Sequence, residues 1–380
     1  MKKRTKVFVA MSGGVDSSVA ALLLKQKGYD LVGCFIKGWY PPAIASSGVA
    51  GGPTGFYCSW KEDRRDAMRV CAKLAIPFIT IDAEKEYKRD VVDYMLREYK
   101  AGRTPNPDIM CNKSIKFGVF LKKARKLGAD YIATGHYVRR DNAFFHPGHK
   151  GKGLQKAPSR LLIARDLNKD QSYFLWTLAQ EQLKYYLFPI GNLTKPQVRE
   201  LAKKNNLPTA EKDESMGVCF IGEFPMADFL KKYIKTKKGK VITYSSAGEG
   251  KIIGEHEGVM FYTIGQRHGG FSAGGGVPYY IVAKDIKKNL IIVADKASEE
   301  NFYKKEIEIE NVNWINGKAS ALNKTYKARI RYRQPLQNCK LLNTDYGLLV
   351  TFTKPQRAIT PGQSLVIYDG KTLLGGGIIK

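Results

Sequence analysis

The chain is short of acid. Only 35 Asp and Glu stand against 63 Lys and Arg in 380 residues, a formal charge of +28 at pH 7. That imbalance argues for a polyanionic partner, because counterion release gives basic surfaces affinity for phosphodiesters. Long apolar runs are also missing. None reaches the ~18–20 residues of a membrane span, so no membrane association is expected. The basic start Met1-Lys-Lys-Arg-Thr-Lys6 runs straight into a strand-like segment, which argues against a cleaved leader. Six cysteines occur, at 34, 58, 71, 111, 219 and 339, with no C-x-x-C and no Cys/His cluster at zinc-finger spacing. No metal centre is therefore expected, and a cytoplasmic chain keeps such thiols reduced. Internal repeats are absent. So are a G-x-G-x-x-G fingerprint and the lysine-bearing G-x-x-x-x-G-K-[ST] loop.

What is present is a different glycine turn. Residues 12–18 read Ser-Gly-Gly-Val-Asp-Ser-Ser, between the apolar run Lys6-Val-Phe-Val-Ala-Met11 and a helix-like run from Ser17 to Lys25. Strand, glycine turn and helix together hold linked phosphates. Glycine lets the backbone approach an anion closely, and the first N–H groups of the helix lack internal partners. The turn resembles the pyrophosphate-binding loop of ATP pyrophosphatases, which transfer AMP to a carbonyl oxygen.

At roughly 100–200 residues per domain, the length suggests two or three. The first two hundred residues alternate strand and helix signals, predicting a parallel sheet covered by helices, with ligands at the carboxyl ends of its strands. In residues 63–74, Ala67, Val70, Cys71 and Leu74 fall at helical spacing, which makes Cys71 a core thiol. Cys34, in mid-strand, reads the same way. Residues 38–55 and 142–159 break the rhythm as Gly-rich loops. After about residue 215 short strands and turns take over, with a hairpin over 280–294. Tyr326–Arg333 alternates, placing Lys327, Arg329, Arg331 and Arg333 on one strand face as a candidate phosphate-facing strip. The expected domains are 1–214, 215–297 and 298–380.

A second constellation lies at Gly102-Arg-Thr-Pro-Asn-Pro-Asp-Ile-Met-Cys-Asn112. Two prolines stiffen the turn and present Asn106, Asp108 and Cys111 on a fixed scaffold. Cys111 is expected near a helix start, where the dipole favours a thiolate, and Asp108 could trade a proton with a substrate. Cys219 stands among small residues in Ser215-Met-Gly-Val-Cys-Phe-Ile-Gly222.

In chain order, SGGVDSS, AGRTPNPDxxCN, ADYIATGHYVRR, NKDQSYFL, GVCFIGE, TIGQRHG, RIRYRQ and TPGQS together resemble the tRNA-specific 2-thiouridylases. These enzymes replace the 2-oxygen of a tRNA wobble uridine with sulfur. The resemblance implies an adenine nucleotide alpha hydrolase-like α/β domain with a parallel sheet, a small central β domain and a C-terminal β-barrel. It implies a persulfide on Cys219, Cys111 as the thiol that releases the new sulfur, and a Cys111–Cys219 disulfide afterwards. Asp108 would be the acid/base residue, and Asn106, Pro107 and Asp108 would meet the target base. ATP would be held by Ala10, Met11, Ser12, Gly13, Gly14, Val15, Asp16 and Ser17, with Ile36 and Gly135 beside the adenosine. His136, Lys169, Asp170, Gln171, Arg331, Tyr332 and Gln363 would contact tRNA. The implied needs are ATP with Mg2+ and persulfide sulfur from a desulfurase or sulfur-relay protein, served to a cytoplasmic monomer. An iron–sulfur mechanism using Cys111, Cys219 and a third ligand, and a non-enzymatic RNA-binding role, stay open at this point.

Overall fold

A computed structural model describes residues 4–40, 60–141, 159–213, 226–246, 250–268, 278–322, 324–345 and 347–380. Cys58, Cys219 and most of the two Gly-rich loops lie outside the described residues.

Strands β1 (Lys6–Ala10), β2 (Asp30–Lys37), β3 (Phe78–Asp82) and β4 (Tyr131–Ala133) pair in parallel. A two-stranded ribbon, β5 (Arg139–Arg140) with β6 (Leu161–Leu162), then leaves this sheet. Strand β7 (Tyr186–Leu187) returns to it beside β4, giving the order β3-β2-β1-β4-β7. The chain therefore reverses direction across the sheet between β1 and β4. In an open parallel sheet the ligand crevice lies outside the strand carboxyl ends at such a point. Helices α1 (Val15–Gln26) and α2 (Trp60–Lys73) cover one face. Val19, Val70 and Cys71 pack there with Val7 and Val9. Phe117, Phe120 and Tyr186 pack on the other face with Phe8, Cys34 and Ile132.

The central sheet contains β8 (Gly239–Thr243), β9 (Ile252–His256), β10 (Arg267–His268), β11 (Tyr279–Asp285) and β12 (Leu290–Ala294). Its order is β10-β11-β12-β8-β9, and β11–β12 is the expected hairpin. Phe229, Leu230 and Phe261 carry this unit onto Tyr87, Val91 and Met95 of the α/β domain.

Six C-terminal strands close a barrel: β13 (Lys304–Trp314), β14 (Tyr326–Arg329), β15 (Gln337–Thr344), β16 (Gly347–Gln356), β17 (Ser364–Asp369) and β18 (Thr372–Ile379). Pairing of β13 with both β16 and β18 completes the ring. The barrel also accepts β6 against β18, so the α/β domain lends it two strands.

The barrel overturns the four-cation strip. β14 ends at Arg329, and the next four residues turn away from the strand. Arg329 is 5 % exposed and pairs with Asp170, itself 3 % exposed. Ser172 and Tyr368 complete the cluster. Arg331 turns its guanidinium to the Ala358 carbonyl. Alternation alone could not show that this face meets another domain rather than water.

Truncating one partner of a buried pair strands the other charge, at a cost of roughly 3–5 kcal/mol. Asp170→Ala is therefore expected to lower the urea midpoint measured by tryptophan fluorescence. An unchanged midpoint would mean that the pair does not hold the barrel to the α/β domain.

Candidate nucleotide and thiol site

The glycine turn sits at the carboxyl end of β1 and opens α1. Gly13 has φ +80°, and a Cβ there would lie 2.2 Å from the Asp63 carbonyl oxygen of α2. Only glycine meets both demands. The serines organise the loop: Ser17 Oγ and Ser18 Oγ donate to the Gly14 carbonyl at 3.0 and 2.9 Å, and the Ser12 N–H donates to Ser17 Oγ at 3.2 Å. Gly135, just beyond β4, lies against the first turn of α1, where a Cβ would be 2.7 Å from the Ser17 nitrogen. Ile36 lies near the end of β2. The expected adenosine-lining residues thus flank the loop on both sides.

A lysine serves this loop from far away in sequence. Lys195 begins α3 (Lys195–Lys204), where Gln197 caps the Thr194 N–H. Its ammonium reaches back to both carboxylate oxygens of Asp16, at 2.7 and 2.8 Å. The Tyr137 hydroxyl donates to the same carboxylate at 2.7 Å. Nearby, the Thr209 hydroxyl donates to Ser18 Oγ at 2.9 Å, and Lys212 pairs with Asp63 and Asp66 of α2. The region preceding Cys219 is therefore tied to the nucleotide loop. Reading the motif alone missed Lys195, Tyr137 and Lys212. The Thr-Lys-Pro-Gln cap was legible, but nothing local showed that its lysine points 179 positions back.

The second constellation folds as expected and goes further. Asn106 caps a helical run of Pro107–Met110, Cys111–Val119 and Phe120–Lys126, accepting the Ile109 N–H at 3.2 Å, with Pro107 in the first turn. The middle segment is π-helical, a feature often found at functional sites. Cys111 sits one turn in and is 3 % exposed. Burial pushes the Asp108 carboxyl above the usual carboxylate range, and Lys116 opposes the shift. His136 links this helix to the loop strand: one ring nitrogen meets Thr134 Oγ1 at 2.8 Å and the other meets Asn112 Oδ1 at 3.2 Å. Burial, aided by Lys116, holds the ring well below its ordinary pKa, so it is neutral.

Loops from both β units grip the turn before Asn106. Gln363 donates its amide to the Thr104 and Pro105 carbonyls at 2.9 and 3.1 Å. The Thr104 N–H donates to the Pro361 carbonyl, and its hydroxyl meets Thr263 of the central unit. Arg331 also reaches the Ile264 carbonyl at 3.5 Å. Tyr332 packs on Phe174, with ring centroids 4.6 Å apart. Gln171 accepts the Tyr137 N–H at 2.9 Å, and the Lys169 N–H donates to the Asp166 carbonyl. Of the residues expected to meet tRNA, Asp170 and His136 are buried in this structure. Arg331, Tyr332 and Gln363 line the seam between the barrel and the α/β domain near Asn106.

The other described cysteines are buried, as Cys111 is. Burial raises the thiols of Cys34, Cys71 and Cys339, the last two to about 11 and about 12. Among the described residues no group of three or more His, Cys, Asp or Glu converges as a metal site. No described helix is long and apolar enough to cross a membrane.

A switch-point glycine loop, a cysteine-bearing helix beside it and two docked β modules define a nucleotide-binding protein of the HUP class. Comparison with known families agrees along the whole chain. Residues 5–223 match a family described as tRNA methyl transferase HUP domain, 227–295 its PRC-barrel domain, and 304–379 an aminomethyltransferase β-barrel domain. The tRNA-specific 2-thiouridylase MnmA of Pseudomonas paraeruginosa is 44% identical over 100% of this chain and 95% of its own. The corresponding MnmA 2 of Geobacillus kaustophilus is 45% identical over 99% and 94%. A 4-thiouridine synthetase solved with RNA and ATP overlaps loosely: TM-score 0.35, 16% identity, 60% of this chain and 50% of that one. The chain belongs to the tRNA-specific 2-thiouridylase family.

Asp108 offers a direct check on the site's electrostatics. An unfolded Asp ionises near ~3.9, and the fold raises that value. The protonated form therefore stabilises the fold at low pH, and this contribution is lost as pH rises through the folded pKa. Asp108→Asn is expected to melt at a higher temperature than the native chain at pH 7, with the gap closing below about pH 4. A variant less stable at pH 7 would show that the carboxylate is held ionised.

Proposed function

We propose that this chain uses ATP to thiolate the wobble uridine of tRNA at its 2-position, with Cys219 and Cys111 acting in sequence. One observation carries the reading: residues 134–137 join the two halves of the site. Gly135 touches the loop helix, Tyr137 holds Asp16 of the loop, and His136 bonds Asn112 next to Cys111. The nucleotide turn and the thiol helix are thereby neighbours on one strand end, as activation followed by sulfur transfer requires.

ATP would lie along Ala10–Ser17, its phosphates on the backbone N–H groups opening α1. Asp16 would be the residue to hold Mg2+, which would offset polyphosphate charge. Lys195 supplies the cation that the loop lacks in its own sequence, and Tyr137 keeps Asp16 oriented. The uracil 2-oxygen, seated against Asn106, Pro107 and Asp108, attacks the α-phosphorus and pyrophosphate departs. Asp108, its carboxyl pushed by burial above the usual carboxylate range, would serve as the acid/base group beside the activated base. The terminal sulfur of a Cys219 persulfide then attacks C2 and AMP leaves with the old oxygen. Finally the Cys111 thiolate attacks the Cys219 sulfur. The S–S bond breaks, the new thiocarbonyl sulfur leaves with the electron pair, and a Cys111–Cys219 disulfide forms. A cellular thiol reductant reopens it, and a sulfur-donor protein reloads Cys219.

The formal charge of +28 supports a tRNA partner. The described seam of Arg331, Tyr332 and Gln363 leads toward the Asn106 turn.

Cys219→Ser is expected to abolish thiolated tRNA while leaving tRNA binding intact, measured by thionucleoside analysis and filter binding. Full turnover by this variant would remove Cys219 as the sulfur carrier. Lys195→Gln deletes a charge-assisted contact worth roughly 1.5–3 kcal/mol. Its Kd for ATP is expected to rise about 10- to 100-fold with tRNA affinity unchanged, and an unaltered Kd would place Lys195 outside the phosphate site.

A further inference from the structure

Between the catalytic helix and the barrel lies a cavity of about 330 Å³. Asn106 and Lys113 contribute from the helix, Trp176 and Thr177 from the segment after Tyr173, and Asn311 and Asn313 from β13. Three independent features mark it as a built site. First, Trp176 is 4 % exposed, yet its Nε1 has no hydrogen-bond partner within the protein, and neither does the buried Thr177 hydroxyl. Buried polar atoms are nearly always satisfied, and each exception calls for an explanation such as a ligand. Second, β13 changes register between Glu310 and Asn313, and Asn311 within that bulge has φ +51°. Bulges beside functional sites re-aim side chains, and left-handed non-glycine residues cluster at ligand contacts. Third, the Asn313 amide donates to the Trp176 and Leu178 carbonyls at 2.7 and 3.0 Å, which ties the bulge to the backbone of the segment that carries the unsatisfied indole.

We propose that this cavity seats one unpaired nucleobase adjacent to the target uridine in the anticodon loop. The assignment rests on the function proposed above and extends it to substrate selection. The chemistry fits a base edge: an indole donor and a hydroxyl on one wall, the Asn311 amide and the Asn313 side-chain oxygen opposite, and the Tyr94 ring among the lining residues. Single-stranded loop bases are recognised by stacking on aromatic rings and by hydrogen bonds to their edges. Lys113, exposed at the rim, suits the backbone phosphate between the two bases. The position also fits, since Asn106 belongs to both the cavity wall and the proposed target-base turn. A second cavity, about 580 Å³, borders Glu84, Lys88 and Lys123. Its charges pair with Lys37, Asp93 and Glu86, so it offers no comparable set of unmatched donors.

The test uses the full chain and a synthetic anticodon stem-loop RNA, either intact or with an abasic sugar at one nucleotide flanking the target. Thr177→Val and Asn311→Ala are each expected to weaken binding of the intact RNA about three- to tenfold. The same variants should show no further loss on the RNA lacking the recognised base. Thr177→Val should also leave the thermal stability of the free protein equal or raised, since its hydroxyl has no partner to lose. Equal weakening on intact and abasic RNA, or none on either, overturns the assignment. The readout is RNA binding, so failure of the sulfur chemistry would appear separately, as a native chain that binds RNA without thiolating it.

Discussion

The arrangement depends on satisfying the backbone of one turn. Pro105 and Pro107 have no N–H, so the Arg-Thr-Pro-Asn-Pro segment cannot bond regularly to itself. Its carbonyls need donors from elsewhere. The side-chain amide of Gln363 supplies two N–H groups to Thr104 and Pro105, while Pro361 accepts the Thr104 N–H. The turn before Asn106 is thus completed by the barrel. A stiff segment with unmet carbonyls makes three folding units interdependent where chemistry is expected, and the thiol helix begins from that fixed point.

Polar pairs at long sequence separation do the remaining positioning. Asp16 takes Lys195 and Tyr137, Asp170 takes Arg329, and Asp63 takes Lys212. In a chain with few acidic residues, these three carboxylates each fasten a separate element to the nucleotide domain or the barrel to it. The cations that remain exposed, such as Lys113 and Lys327, are left to face a polyanion.

Much of the fold was legible because local rules governed it. The glycine turn, the α2 stripe with Cys71 inside, the β11–β12 hairpin and the helix start near Cys111 all follow from spacing or turn chemistry within a few residues. The cation strip was misread for the opposite reason. Period-two alternation identifies a strand face but not its neighbour, and Arg329 meets Asp170 across 159 positions. Lys195 was illegible in the same way. The helix that carries it could be read, but not the carboxylate it reaches. The bulge at Asn311 left no signal, since asparagine in a polar stretch looks like any surface residue.

Under the proposed function, the insulated cysteines bear on how a Cys219 persulfide would keep its sulfur. Sulfane sulfur migrates readily to an available thiolate, and each migration removes sulfur meant for the base. Cys34, Cys71 and Cys339 are buried and hold their protons well above cellular pH, so they are poor acceptors. Core packing thereby doubles as chemical quarantine: the residues that fill the interior with sulfur are those least able to divert it.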